Sequence, residues 1–185
     1  MPSAITVAGQ DVKTLEFISS LVASNSASVS FTGLSSTYFT YKLIVSGYLP
    51  ATDATSLIFK TSANNGASYD AGASDYSWIR YTAVQNTTPN NSTTGDEADT
   101  GIILTTNIGS APTATCDFEI TLINPSATIY TSMLWDGMFT NSILQQRNVN
   151  GSGTRLSSAA VNAIELTSSS GNIATGTFKL YGIRD

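Results

Sequence analysis

Apolar residues in this chain recur at every second position far more often than at every third or fourth, the pattern of strands that bury one face. The stretch 116–122 is the clearest instance. Cys116, Phe118, Ile120 and Leu122 fall on one face, and Asp117, Glu119 and Thr121 on the other. Residues 28–32 alternate strictly, and 41–48 place Tyr41, Leu43 and Val45 on one face with Ile44 and Tyr48 on the other. The same period predicts strands over 14–19, 56–61, 76–83, 101–106, 130–139, 161–167 and 176–181.

Between these segments lie clusters that favour turns: Asn64-Asn65-Gly66, 88–91, 109–112, 124–126, Asn150–Gly153 and 168–171. Asn and Gly tolerate the positive φ that tight turns demand. No segment carries a sustained helical period with caps. Gln85 to Thr100, polar throughout, is expected to be an exposed loop. About ten short strands with this punctuation predict an all-β fold, an antiparallel two-sheet sandwich with a jelly roll as the favoured topology. Residues 1–12 read as an N-terminal arm outside the sandwich, and 13–185 as a single β-sandwich domain. In the arm, Ile5, Val7 and Val12 are the candidate contacts, able to add a short strand to a neighbour's edge.

Composition narrows the function classes. Among 185 residues there is no histidine and one cysteine, and 11% are charged. Histidine is the usual proton shuttle near neutral pH, so the chain is poorly equipped for catalysis and is expected not to be an enzyme. The net charge is −5, and the eight cations are scattered, which argues against nucleic acid or an anionic membrane as partner. Mean hydropathy is +0.05, and no apolar run approaches the roughly 18 residues of a membrane span. Cys116 has no partner for an internal disulfide and sits on the apolar face of its strand, as a small core residue does. The first residues lack the basic and apolar regions of a secretory signal, so synthesis and retention in a cytoplasm are expected.

Two clusters suggest binding. Asp96-Glu97-Ala98-Asp99 could offer several oxygens to calcium but lacks the full spacing of a calcium loop, so a solvated acidic loop is the expectation and neither metal nor cofactor is assigned. Tyr69, Tyr76, Trp78 and Tyr81, with Asp70, Asp75 and Arg80 among them, resemble the mixture that stacks on sugars. On a strand, however, Tyr76, Trp78 and Arg80 share one face, opposite Ile79 and Tyr81, and such aromatics more often fill a core or a subunit interface. The Asn-x-Ser/Thr triplets at Asn86, Asn91 and Asn150 mark exposed loops and nothing more.

The run Ser170-Gly-Asn-Ile-Ala-Thr-Gly-Thr-Phe-Lys-Leu-Tyr-Gly-Ile183, with Ile164 and Leu166 before it, reads as a closing hairpin about a Gly171-Asn172 turn. It resembles the C-terminal segment of small β-sandwich proteins in the virions of tailed bacteriophages. Ser36–Pro50, Leu57–Ser62 and Asn65–Asp70 are similar to the same family in order and content: a Tyr-containing turn, a strand, a proline loop, a strand ending in Ser, and a Gly-x-Ser-Tyr turn. The resemblance spans about 28–81 and 159–183, and implies a virion structural role with no catalytic residue carried over. Within that family, the short stretch before the first strand favours a capsid decoration or cement protein, a homotrimer bound to the major capsid protein on the capsid surface and made in the host cytoplasm. The alternative is a tail-fibre or receptor-binding module that recognises a host glycan.

Overall fold

The computed structural model describes residues 14–85 and 91–184. The candidate arm contacts Ile5, Val7 and Val12 lie outside the described residues. Twelve strands form the described chain: β1 Leu15–Ser26, β2 Ser28–Thr32, β3 Thr40–Pro50, β4 Thr55–Ser62, β5 Tyr76–Val84, β6 Ser92–Asp99, β7 Ile102–Ile108, β8 Cys116–Ile123, β9 Ser132–Thr140, β10 Gln146–Arg155, β11 Ala163–Ser168 and β12 Ile173–Ile183. They build two antiparallel sheets, one of eight strands in the order β1-β12-β3-β8-β9-β10-β5-β6, and one of four in the order β2-β11-β4-β7.

This order is a jelly roll with two additions. When β5, β6, β9 and β10 are set aside, the remaining eight strands, counted afresh, run 1-8-3-6 in one sheet and 2-7-4-5 in the other. Those are the two interlocked Greek keys of a jelly roll. The hairpins β5-β6 and β9-β10 are insertions that lengthen the first sheet beyond the second.

The core follows from alternation. Leu43, Val45, Phe118, Ile120, Phe178 and Leu180 of the long sheet meet Phe31, Leu57, Phe59, Leu104 and Leu166 of the short one, all buried in a single cluster. On β8 the buried positions are Cys116, Phe118, Ile120 and Leu122, the face the period predicts. Each apolar side chain of this size removed from water contributes about 1.5–3 kcal/mol, so the cluster dominates stability.

Four expectations change. Ser92–Asp99, expected as loop, is edge strand β6, which pairs with β5 while exposing nearly all its side chains. Its backbone hydrogen bonds hold it, so no hydrophobic period is needed. Asn150–Gly153, expected as a turn, lies mid-strand in β10, between β9 and β5, and Asn150 is therefore a strand residue.

Tyr48, assigned to the face opposite Leu43, is fully buried with it. Gly47 adopts φ +62° and the pairing of β12 with β3 shifts register between Thr175 and Thr177, a bulge that resets the alternation. Finally, β11 and β12 form no hairpin. β11 pairs with β2 and β4, β12 with β1 and β3, and the Gly171 turn (φ +68°) carries the chain from one sheet to the other.

Candidate functional site

The four aromatics singled out in the sequence separate. Tyr76 and Trp78 point inward from β5 and are buried. Trp78 Nε1 donates to Asp99 Oδ2 at 2.9 Å, and the Arg80 guanidinium lies 5.1 Å from the centre of its ring. The Tyr76 hydroxyl accepts from the Thr61 amide at 2.8 Å, and burial pushes its pKa up to about 12. Tyr69, half-buried, packs its ring end over Gly66. Tyr81 alone of the β5 aromatics faces solvent, beside Ile79. A four-ring glycan platform is thus absent, because alternation along β5 sends two of its rings into the core.

Behind Tyr76 lies a polar knot. Arg155 Nε donates to Asp70 Oδ2 at 2.6 Å, Asp70 also accepts from Thr61 Oγ1 at 3.0 Å, and the Ala159 carbonyl takes a second Arg155 hydrogen bond. Arg155 is buried and Asp70 partly so. The knot ties the 63–75 loop to the end of β10, and its groups are consumed by one another.

The acidic cluster is strand rather than loop, and its carboxylates serve local partners. Asp96 Oδ1 accepts from the Ala98 amide at 3.0 Å, Asp99 Oδ1 from the Thr100 amide at 2.6 Å, and Asp99 Oδ2 from Trp78. Among the described residues no three His, Cys, Asp or Glu side chains gather as a metal site. Cys116 is buried, and burial first, then the Asp117 charge, raises its pKa well above the ordinary thiol value, so it is held as the unreactive thiol. No helix among the described residues is long and apolar enough to cross a membrane.

Sequence reasoning missed two surfaces. On the outer face of the long sheet, Leu134 and Ile79 flank Ser152 in one cross-strand row, and Asp136, Asn150, Tyr81 and Thr93 form the next. Between them the small residues of β10 leave a shallow concavity of about 470 Å³. Ile79 and Leu134 are each about half exposed, at 53% and 52%.

The second surface is β1, at the edge of the long sheet. Leu15, Phe17, Ile18 and Val22 are exposed there, Val22 at 74%. Among the described residues only Phe17 has an aromatic neighbour there, Tyr181, edge-on with ring centres 5.6 Å apart. Apolar spacing could have located β1 beyond Ser19 had the bulge between Phe17 and Ser19 not broken its phase.

No family model matches the chain, and no curated protein matches it.

Proposed function

We propose that the chain is a structural protein of a tailed-phage virion, a homotrimeric capsid decoration protein bound to the major capsid protein on the head surface. The observation that carries this reading is the β1 edge. A twelve-residue strand pairs on one side with β12 and, among the described residues, with nothing on the other, while Leu15, Phe17, Ile18 and Val22 stand exposed along it. Monomeric proteins blunt such edges with charge, proline or cover, since an open apolar edge recruits another strand. A protein that packs against its own copies needs that edge. Closed rotational symmetry is the usual outcome of self-association, and repetition over a capsid lattice turns modest contacts into firm attachment. The low charge also limits like-charge repulsion between packed copies.

In this reading Ile5, Val7 and Val12 of the arm contact the shell. Removing residues 2–12 should leave a folded trimer that no longer decorates emptied capsids. Full occupancy by the truncated form would overturn the arm's role. Counting copies in purified virions tests the location. Many copies on the head are expected, and a handful at the tail would replace decoration with the receptor-binding reading.

Tyr81 favours that second reading: its exposed ring stands beside Asn150 and Thr93 at the rim of the β10 concavity, the pairing of an aromatic face with hydrogen-bonding groups that suits a sugar. Glycan binding lost in Tyr81→Ala with the fold intact would support it.

A further inference from the structure

Where the short sheet ends at β7, two arginines from the long sheet face a partly enclosed polar cavity of about 180 Å³. Arg80 on β5 is only 7% exposed. Its Nη1 donates to the Ile103 carbonyl at 3.1 Å and its Nη2 to Thr106 Oγ1 at 3.3 Å, both neutral acceptors. Arg147 on β10 lies diagonally across the same inner face. Its Nη2 donates to Gln145 Oε1 at 3.2 Å, and its Nε is buried with no hydrogen-bond partner among the described residues.

Among the described residues no carboxylate lines this cavity and neither arginine has an acidic partner. Arg147 is half-buried, and the other buried cation among the described residues, Arg155, is matched to Asp70. A guanidinium stays protonated in a protein, so its burial demands negative charge or a full set of acceptors. Burial lowers the Arg80 pKa from its ordinary value, the direction expected of a cation lacking an anionic neighbour. The remaining wall is neutral, with the hydroxyls of Thr82 on β5, Thr94 on β6 and Thr106 on β7 around the space.

We propose that this cavity binds a single small tetrahedral oxyanion, of the phosphate or sulfate class, between Arg80 and Arg147. The size admits one such ion and excludes a nucleotide. Donors that surround the space from β5, β6, β7 and β10 suit a tetrahedral acceptor better than the flat fork of a carboxylate. The bound ion accepts from the orphan Arg147 Nε and neutralises Arg80, cross-linking the inserted hairpins to β7. The site thereby stabilises the part of the long sheet that the short sheet does not cover.

The test uses the full chain at constant ionic strength, with chloride replaced stepwise by inorganic phosphate. The melting temperature should rise with phosphate, by about 5–10 °C at a hundred times Kd. In Arg147→Gln, calorimetric phosphate affinity should fall at least about tenfold, the loss expected when one charge-assisted pair is removed. A response to phosphate no greater than to chloride, or an unchanged affinity in Arg147→Gln, overturns the site. An equal response to acetate overturns the tetrahedral assignment. Independently of any variant, a crystal soaked in selenate should show an anomalous peak between the two guanidinium groups, and a peak elsewhere only, an adventitious ion only, overturns the proposal.

Discussion

Trp135 and Gly151 are direct cross-strand partners on β9 and β10, and the indole occupies the space that a side chain on Gly151 would need. A Cβ there would meet the ring and also come within 2.6 Å of the Ile79 carbonyl oxygen. The indole Nε1 donates to the Leu104 carbonyl at 3.0 Å, so the ring cannot swing aside without orphaning a buried donor. Gly151→Ala should therefore cost about 3 kcal/mol, or roughly 6–12 °C in melting temperature for a domain of this size. Calorimetry on the purified variant checks it, and an unchanged melting temperature would mean that the indole has room to move.

The Arg155–Asp70 pair gives a second expectation. Asp70→Asn leaves a buried guanidinium without its anion, a loss of about 3–5 kcal/mol for a buried pair broken on one side. The double variant Asp70→Asn with Arg155→Met should recover part of that, since the unpaired charge is gone. Urea unfolding of the two single variants and the double variant measures the coupling, and strictly additive losses would show that the pair does not interact.

Alkaline stability follows from two tyrosines. Burial pushes both Tyr48 and Tyr76 up to about 12, from an ordinary value of 10.0. The folded chain thus holds both protons after the unfolded chain has released them. Their contribution is complete below pH 10 and is lost as pH rises toward 12, by on the order of 3 kcal/mol for each ring. Urea midpoints measured from pH 8 to 12 should be level at first and then fall. Tyr76→Phe should flatten the fall by about half, while costing about 1–3 kcal/mol at neutral pH through the unsatisfied Thr61 amide.

The exposed β1 edge sets a fourth. Val22 projects into solvent, so Val22→Lys should change the stability of the folded monomer by no more than about 0.5 kcal/mol. If copies associate through this edge, the same substitution should move the sedimentation coefficient from that of a trimer to that of a monomer. A trimer that persists would place the contact elsewhere.

How much of this was legible depends on what each strand packs against. β8 could be read directly, because one of its faces meets the core and the other meets water, and the residues alternate accordingly. β10 could not, since Asn150-Gly-Ser-Gly153 has the composition of a turn. Its glycines answer to neighbours distant in sequence: Trp135 over Gly151 and Ile102 over Gly153. Glycine inside a strand often marks such a close approach, and the tryptophan on β9 was the available clue. β6 carries no apolar face and is held by its backbone and by the Trp78–Asp99 hydrogen bond, so a periodicity search passes over it. The burial of Tyr76 and Trp78 was implied by their shared face. The convergence of Arg80 and Arg147 was not, because it depends on the register between β5 and β10, strands far apart in the chain.

The pairing of β1 with β12 also dictates when the molecule can be completed. Leu15 lies opposite Ile183, and Ser26 opposite Ile173, so β1 has no long-sheet partner until β12 has left the ribosome. Throughout synthesis Phe17, Leu21 and Val22 wait unpaired. Contacts this distant make for folding in milliseconds to seconds rather than microseconds, and for an interval in which a sticky strand is available to any neighbouring chain. Expression yield should thus depend on temperature and chaperone supply, and polysome crowding should favour aggregates seeded by β1.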